Sequence, residues 1–312
     1  MQIRKFAIAI IAALLTAGAA RAETIGFAQV GSESDWRTAF STDMKAEAGR
    51  RGIKLLFFDA DNNAARQHEA VRGFIASRVD AIVIAPVVVT GWTETLKLAK
   101  AAGIPVFIAD RAVDADPDLF VARIAADFNL EGRLAAAWLA QATRGSCGVV
   151  ELRGTESAEP TIQRRKGFLA VLSQFPSMRI LRSASGGFTS QGGKRAMEEF
   201  LRAPEGLKDV CAVWSHNDNM LLGAIEAMTA AGLRPGRDQL TVSVDGVPDI
   251  FRAMEAGHAN MSVELKADIG KYIFDTVQGY LAGKRQFPKW VLIPSDLHTP
   301  ADATSMLSRR GS

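Results

Sequence analysis

Ala81-Ile82-Val83-Ile84-Ala85, set between Asp80 and Pro86, is a run of apolar residues with no polar alternation. A strand with one face in water alternates apolar and polar residues, whereas a strand of a parallel sheet covered on both faces is apolar throughout. Runs of strand type recur on either side, from Thr24 to Val30, Lys54 to Phe58 and Val106 to Ala109. Amphipathic stretches near 38–51, 63–77 and 91–102 separate them, which is the alternation of a parallel α/β sheet. The second half repeats the scheme: Val149 to Leu152, Arg179 to Arg182, Cys211 to Trp214 and Leu240 to Val244 are divided by helical stretches near 161–174, 190–202 and 218–231. The length exceeds one comfortable core, so the expectation is two similar α/β halves joined by short extended segments.

At the N-terminus Arg4 and Lys5 precede an apolar stretch from Phe6 to Ala17, and Ala20-Arg21-Ala22 supplies a small-x-small cleavage pattern. This reads as an export signal peptide over residues 1–22, with the mature chain starting at Glu23. The stretch is shorter than the ~20 apolar residues of a spanning helix, the reading weighed against it. The formal net charge of +3 equals the contribution of Arg4, Lys5 and Arg21. A mature chain with balanced, scattered charge has no clustered basic face for nucleic acid.

Cys147 and Cys211, the two cysteines, each stand at the amino end of a strand-like run. In an oxidising compartment they form a disulfide if those strands are neighbours, worth roughly 4 kcal/mol by chain entropy. Two buried free thiols are the other reading. Their spacing fits no metal site.

Polar clusters collect where strand-like runs stop: Trp36 with Arg37, Asp110 with Arg111, Asn217 with Asp218, and Asp245. In an open parallel sheet, ligands bind outside the carboxyl ends of the strands. Carboxylates accept from paired hydroxyls, Arg and Asn donate to hydroxyl oxygens, and an aromatic ring covers a C–H face, so the cluster suits a sugar. For Asp110 and Arg111 the competing reading is a surface salt bridge, and for Trp36 it is a core position. Asp218 reads as the cap of the helix that begins near Met220.

Enzyme signatures are missing. No Gly-x-Gly-x-x-Gly follows the first strand, and Gly187 to Lys194 fails as a phosphate loop because Phe188 and Arg195 occupy key positions. The histidines at 68, 216, 258 and 298 show neither metal spacing nor a triad with a Gly-x-Ser-x-Gly elbow. The reading is a binding protein without catalytic residues, cofactor or metal.

The segments Gly31-Ser-Glu-Ser-Asp-Trp-Arg37, Ile84-Ala-Pro-Val87, Ile104-Pro-Val-Phe-Ile-Ala-Asp-Arg111, Arg164-Arg-Lys-Gly-Phe168, His216-Asn-Asp218 and Val244-Asp-Gly-Val-Pro-Asp249 occur in this order. Together they resemble the ribose/galactose group of periplasmic sugar-binding proteins, from about Thr24 to Leu307. Within that group the chain is most similar to the galactofuranose binders of ABC importers. The resemblance implies two Rossmann-like lobes, the periplasmic binding protein type I fold, joined by a three-crossover hinge. The N-terminal lobe would comprise residues 23–125 plus 266–290 and the C-terminal lobe residues 126–265 plus 291–312, with hinges near Ala125 to Asp127, Glu264 and Leu265, and Pro294.

The same resemblance makes Asp110, Arg111, Asn217 and Asp245 sugar contacts and places Arg164 over the cleft. Trp36 is the stacking candidate, with Ser34 and Arg37 beside it. Trp92, Phe188 and Glu264 complete the expected ligand-binding set. Three departures bear on the sugar: Ala85 and Arg37 stand where ribose binders carry Asn and an aromatic residue, and Glu156-Ser-Ala-Glu-Pro160 replaces an apolar segment of the galactofuranose binders. Implied partners are a monosaccharide and an ABC transporter permease with its ATPase, met by a monomer in the periplasm. A periplasmic sensor subunit signalling to a chemoreceptor or sensor kinase is the alternative. The effector half of a repressor, which shares the fold, would carry a helix-turn-helix where this chain has its leader.

Overall fold

The structure, a computed structural model, describes residues 21–310. The leader expected over residues 1–22 therefore lies, except for Arg21 and Ala22, outside the described residues. The first lobe is built from β1 (Thr24–Gln29), α1 (Asp35–Arg50), β2 (Lys54–Asp59), α2 (Ala64–Ala76), β3 (Ala81–Ile84), α3 (Thr93–Ala101), β4 (Val106–Ala109) and β5 (Arg123–Ala125). The second comprises α4 (Phe128–Ala142), β6 (Ser146–Arg153), α5 (Glu159–Leu172), β7 (Ser177–Ser185), α6 (Ser190–Arg202), β8 (Val210–Ser215), α7 (Asp218–Ala230), β9 (Leu240–Asp245), α8 (Pro248–Glu255) and β10 (Met261–Glu264). The chain then returns to the first lobe with α9 (Gly270–Leu281) and β11 (Trp290–Leu292), and finishes the second with β12 (Leu297–His298) and α10 (Ala303–Arg310).

Each lobe holds a six-stranded sheet, in the orders β11-β5-β4-β3-β1-β2 and β12-β10-β9-β8-β6-β7. Pairing is parallel throughout except between β10 and β12. The reason is visible in β3: Ala81, Ile82, Val83 and Ile84 are each 0 % exposed, because helices cover both faces of the sheet. An apolar run of this kind has no face to offer water, so only the interior of a covered sheet accommodates it. In the second lobe Phe168 of α5 stacks on Trp214 of β8, ring centroids 4.8 Å apart.

The lobes are joined by three crossings, after β5, after β10 and after β11. One boundary differs from the sequence reading, which gives residues 291–312 to the second lobe. Val291 and Leu292 instead pair with Ile124 and Ala125 in the first sheet. The Ile293 N–H and the Trp290 indole N–H both donate to the Ala125 carbonyl at 2.9 Å, which holds the segment there up to Pro294.

Cys147 and Cys211 are joined by a disulfide with Cα atoms 5.5 Å apart, inside the range a disulfide spans without backbone movement. Their strands β6 and β8 are neighbours. The bond sits at the amino ends of those strands, opposite the ends that face the other lobe.

Candidate functional site

The first half of the site begins at the loop between β1 and α1. Ser34 caps α1 by accepting from the Arg37 N–H at 3.2 Å, which sets Trp36 and Arg37 on the first helical turn. The Arg37 guanidinium then meets Asp110 at the end of β4, Nη2 to Oδ2 2.9 Å. Glu33 completes a ring of charges: its Oε1 lies 3.2 Å from Arg111 Nη2 and 3.6 Å from Arg37 Nε. Asp110 and Arg111 are each 3 % exposed, so they are not a surface salt bridge. The Trp36 indole N–H donates to the Leu265 carbonyl at 2.6 Å, tying this loop to the second crossing.

The second half depends on close packing of α4 against α5. A Cβ on Gly132 would stand 2.0 Å from the Arg164 carbonyl oxygen, and one on Gly167 would stand 2.0 Å from that of Asn129. Only glycine permits this approach, and it brings Glu131 beside Arg164. Arg164 donates from Nε to Glu131 Oε2 at 2.9 Å and from Nη1 to the His216 carbonyl at 2.6 Å, while Nη2 points toward Asp245 Oδ1, 3.7 Å away. Ser295, on the third crossing, donates to the other Glu131 oxygen at 3.1 Å. Asn217 caps α7, accepting from the Met220 N–H, and its amide donates to the Phe188 carbonyl, both at 3.0 Å.

Asp218 does not cap α7, contrary to the expectation from sequence. It is fully buried and accepts from the Ser243 and Ser262 hydroxyls and the Val247 N–H, binding β9, β10 and the loop after β9 together. Asn217 takes the cap because it is the residue left in extended backbone before the helix.

The two halves enclose a cavity of ≈ 20 Å³, room for about one water molecule, so a sugar is admitted only as the lining side chains or the lobes move apart. Ser34, Trp36, Arg37, Asp110, Arg111, Arg164, Phe188, Asn217 and Asp245 line it, together with Glu33, Phe128, Pro160 and Leu265. Two expected residues point elsewhere. Trp92 is 0 % exposed in the core between α2 and α3, donates to the Val88 carbonyl at 2.8 Å and lies against the His68 ring, centroids 4.1 Å apart. Its apolar bulk is drawn into that core rather than toward the cavity. Glu264 reaches His298 Nε2 at 3.1 Å and lines a separate hollow beside Lys266 and Asp296. Of the residues outside the expected set, Glu33 lies within the quoted Gly31 to Arg37 segment and Pro160 within the departure from Glu156.

Three residues lining the cavity have backbones in the left-handed half of conformational space: Asp110 (φ 61°), Phe188 (φ 66°) and Asp245 (φ 123°). Such geometry costs a non-glycine residue ~1–3 kcal/mol and persists where neighbours over-determine it. Burial favours the neutral form of Asp245 and raises its carboxyl well above the usual range, against the pull of Arg164. Burial and the neighbouring Arg37 charge bring Arg111 down to about 10. Burial also works to raise Glu33, yet Arg37 and Arg111 outweigh it and hold Glu33 below its ordinary value. Glu33 Oε2, Arg37 Nε, Arg111 Nε and Arg164 Nη2 are buried without a hydrogen-bond partner, and Asp110 Oδ2 has only its ion pair with Arg37. Buried polar groups in proteins are normally paired. Their concentration on one cavity marks it as a place where a polyhydroxylated molecule would complete the bonding.

Residues 25–285 match the periplasmic binding protein domain family. The chain is 45% identical to the galactofuranose-binding protein YtfQ of Escherichia coli (strain K12), over 97% of this chain and 96% of that protein. It resembles the periplasmic binding protein component of the arabinose ABC transporter from Shewanella sp. ANA-3, solved with α- and β-L-arabinofuranose bound: TM-score 0.90, 50% identity, 92% of this chain and 95% of that one. A protein from Mycobacterium smegmatis solved in complex with β-D-fucofuranose matches with TM-score 0.89 at 40% identity, covering 93% and 95% of the two chains.

Proposed function

The chain belongs to the periplasmic binding protein family, and from that premise we propose that it captures a monosaccharide between its lobes and delivers it to the permease of an ABC importer. The sugar is galactofuranose or a related aldose in its five-membered ring form. In this reading the leader is removed on export and the mature protein works in the periplasm as a monomer, with the permease and its ATPase as partners. It does no chemistry on the sugar: each acidic side chain at the cavity faces an arginine and offers its oxygens to hydrogen bonds.

One observation carries the reading. Arg37, Asp110 and Arg111 from the first lobe and Arg164, Asn217 and Asp245 from the second converge on one cavity, where Glu33 Oε2, Arg37 Nε, Arg111 Nε and Arg164 Nη2 remain without a hydrogen-bond partner. Because each lobe supplies half of the contacts, a sugar binds the closed form far better than an open one and shifts the population toward closure. The furanose assignment is supported by relatives that bind galactofuranose, arabinofuranose and fucofuranose.

A thermal-shift screen of the mature, oxidised protein tests it, with L-arabinose, D-galactose, D-fucose, D-ribose, D-glucose and a galactofuranose source. Ligand at 1,000 times its Kd adds about 4 kcal/mol to stability. A selective shift with a sugar that populates a furanose form is expected, and no shift across the panel would overturn the reading.

A further inference from the structure

Glu159 is a carboxylate of the second lobe that contacts the first without lining the cavity. It is the first residue of α5, whose N-cap Ala158 offers no side-chain acceptor. An acid in that position ordinarily serves the free N–H groups of its own helix. Here Oε2 instead accepts from the Ala112 N–H at 2.5 Å and from Arg123 Nη2 at 2.7 Å. Ala112 follows Arg111, and Arg123 opens β5, so both partners belong to the first lobe.

Arg123 in turn holds the sugar-binding segment. Its Nε and Nη2 donate to the Asp110 carbonyl at 3.2 and 2.9 Å. Its guanidinium is fixed over the rings of Phe128 and Trp290, 5.6 and 5.2 Å from their centroids. Asp110 is one of the residues at positive φ, a conformation its surroundings must enforce. One carboxylate thus grips the Asp110–Arg111 segment on both sides, through the following N–H and through the cation that binds the Asp110 carbonyl.

We propose that Glu159 is a positioning residue for sugar capture: when the lobes close, it clamps Asp110 and Arg111 in their sugar-binding conformation through Arg123 and the Ala112 N–H. The inference rests on the solute-capture reading. It makes lobe closure and the shaping of the first lobe's half-site one event, so loss of the carboxylate speeds sugar release although Glu159 does not contact the sugar.

The test compares parent protein, Glu159→Ala and Glu159→Gln, with folding verified by urea unfolding. Stopped-flow binding of L-arabinose is read beside amide hydrogen exchange across residues 108–113. The expected result is release faster by about 10-fold or more in Glu159→Ala, a smaller change in Glu159→Gln, an unchanged association rate, and faster exchange in that segment. Unchanged release in both variants would overturn the proposal and reduce the contact to local structure. If the parent fails to bind L-arabinose, the capture reading is in question separately. Small-angle scattering of the sugar-free proteins then decides the clamp: a larger radius of gyration in Glu159→Ala supports it, and equal radii overturn it.

Discussion

Gly132 approaches Arg164 so closely that a Cβ on the glycine would stand 2.0 Å from the arginine's carbonyl oxygen. The backbone contact between α4 and α5 is therefore part of the proposed sugar site, because it sets Glu131 against the Arg164 guanidinium. Gly132→Ala should force the helices apart, costing ~1–3 kcal/mol in stability and weakening sugar affinity. Gly49→Ala, where nothing lies within 4 Å, should be neutral or slightly stabilising. Urea midpoints and calorimetric titration of both variants measure the contrast.

The indole N–H of Trp36 binds the crossing segment at Leu265, whereas that of Trp92 binds Val88 inside its own lobe. Trp36→Phe should weaken sugar binding. Trp92→Phe should leave affinity in place and lower stability by ~1 kcal/mol. Equal affinity losses in the two variants would show that the cavity is not where the structure places it.

The disulfide closes a sequence separation of 64 residues, for which the chain-entropy model gives about 4 kcal/mol. Replacing Cys147 and Cys211 together by serine should lower the thermal midpoint markedly. Affinity should hold, since the bond lies at the ends of β6 and β8 remote from Asn217. A matching fall in affinity would indicate that strain at the bond reaches the cleft.

Burial pushes Glu151 upward, but His216 at 3.2 Å, the Ser183 hydroxyl and Arg165 together outweigh it and hold the carboxyl at about 2. The folded value lies below the unfolded value of ~4.3, so the ionised carboxylate stabilises the fold above that range. That stability is lost as pH falls from about 4.5 toward about 2. Burial keeps His216 below its usual range. Glu151→Gln should be less stable than the parent at pH 7, with the gap closing on acidification. A gap independent of pH would assign the loss to packing.

Much of this was legible from residue patterns, for reasons particular residues make plain. Ala81 to Ile84 can only be the interior of a covered sheet, and Asp110 and Asn217 stand where such strands end. Shorter features escape such a reading. Strands β5, β11 and β12 hold two or three residues each, too few for a periodicity, and the Val291–Ile124 pairing is fixed by tertiary contact alone. Glu33 is unremarkable beside a helix start until Arg37 and Arg111 are seen to converge on it. Trp92 follows a strand end as a cleft residue would, yet its bulk is better buried against His68 than turned toward the cavity. Glu264 stands at a crossing as expected, but His298 of an antiparallel strand engages its side chain.

Calorimetric titration of the mature, oxidised protein with L-arabinose and with a galactofuranose source, repeated for Asp110→Ala and Asp245→Ala, tests capture between the lobes most directly. The structure predicts one site per chain in the parent for at least one of these sugars. Each substitution should cost ~1.5–3 kcal/mol, a loss of about 10- to 150-fold in affinity. Full affinity in both variants, or a parent that binds neither sugar, would contradict the account.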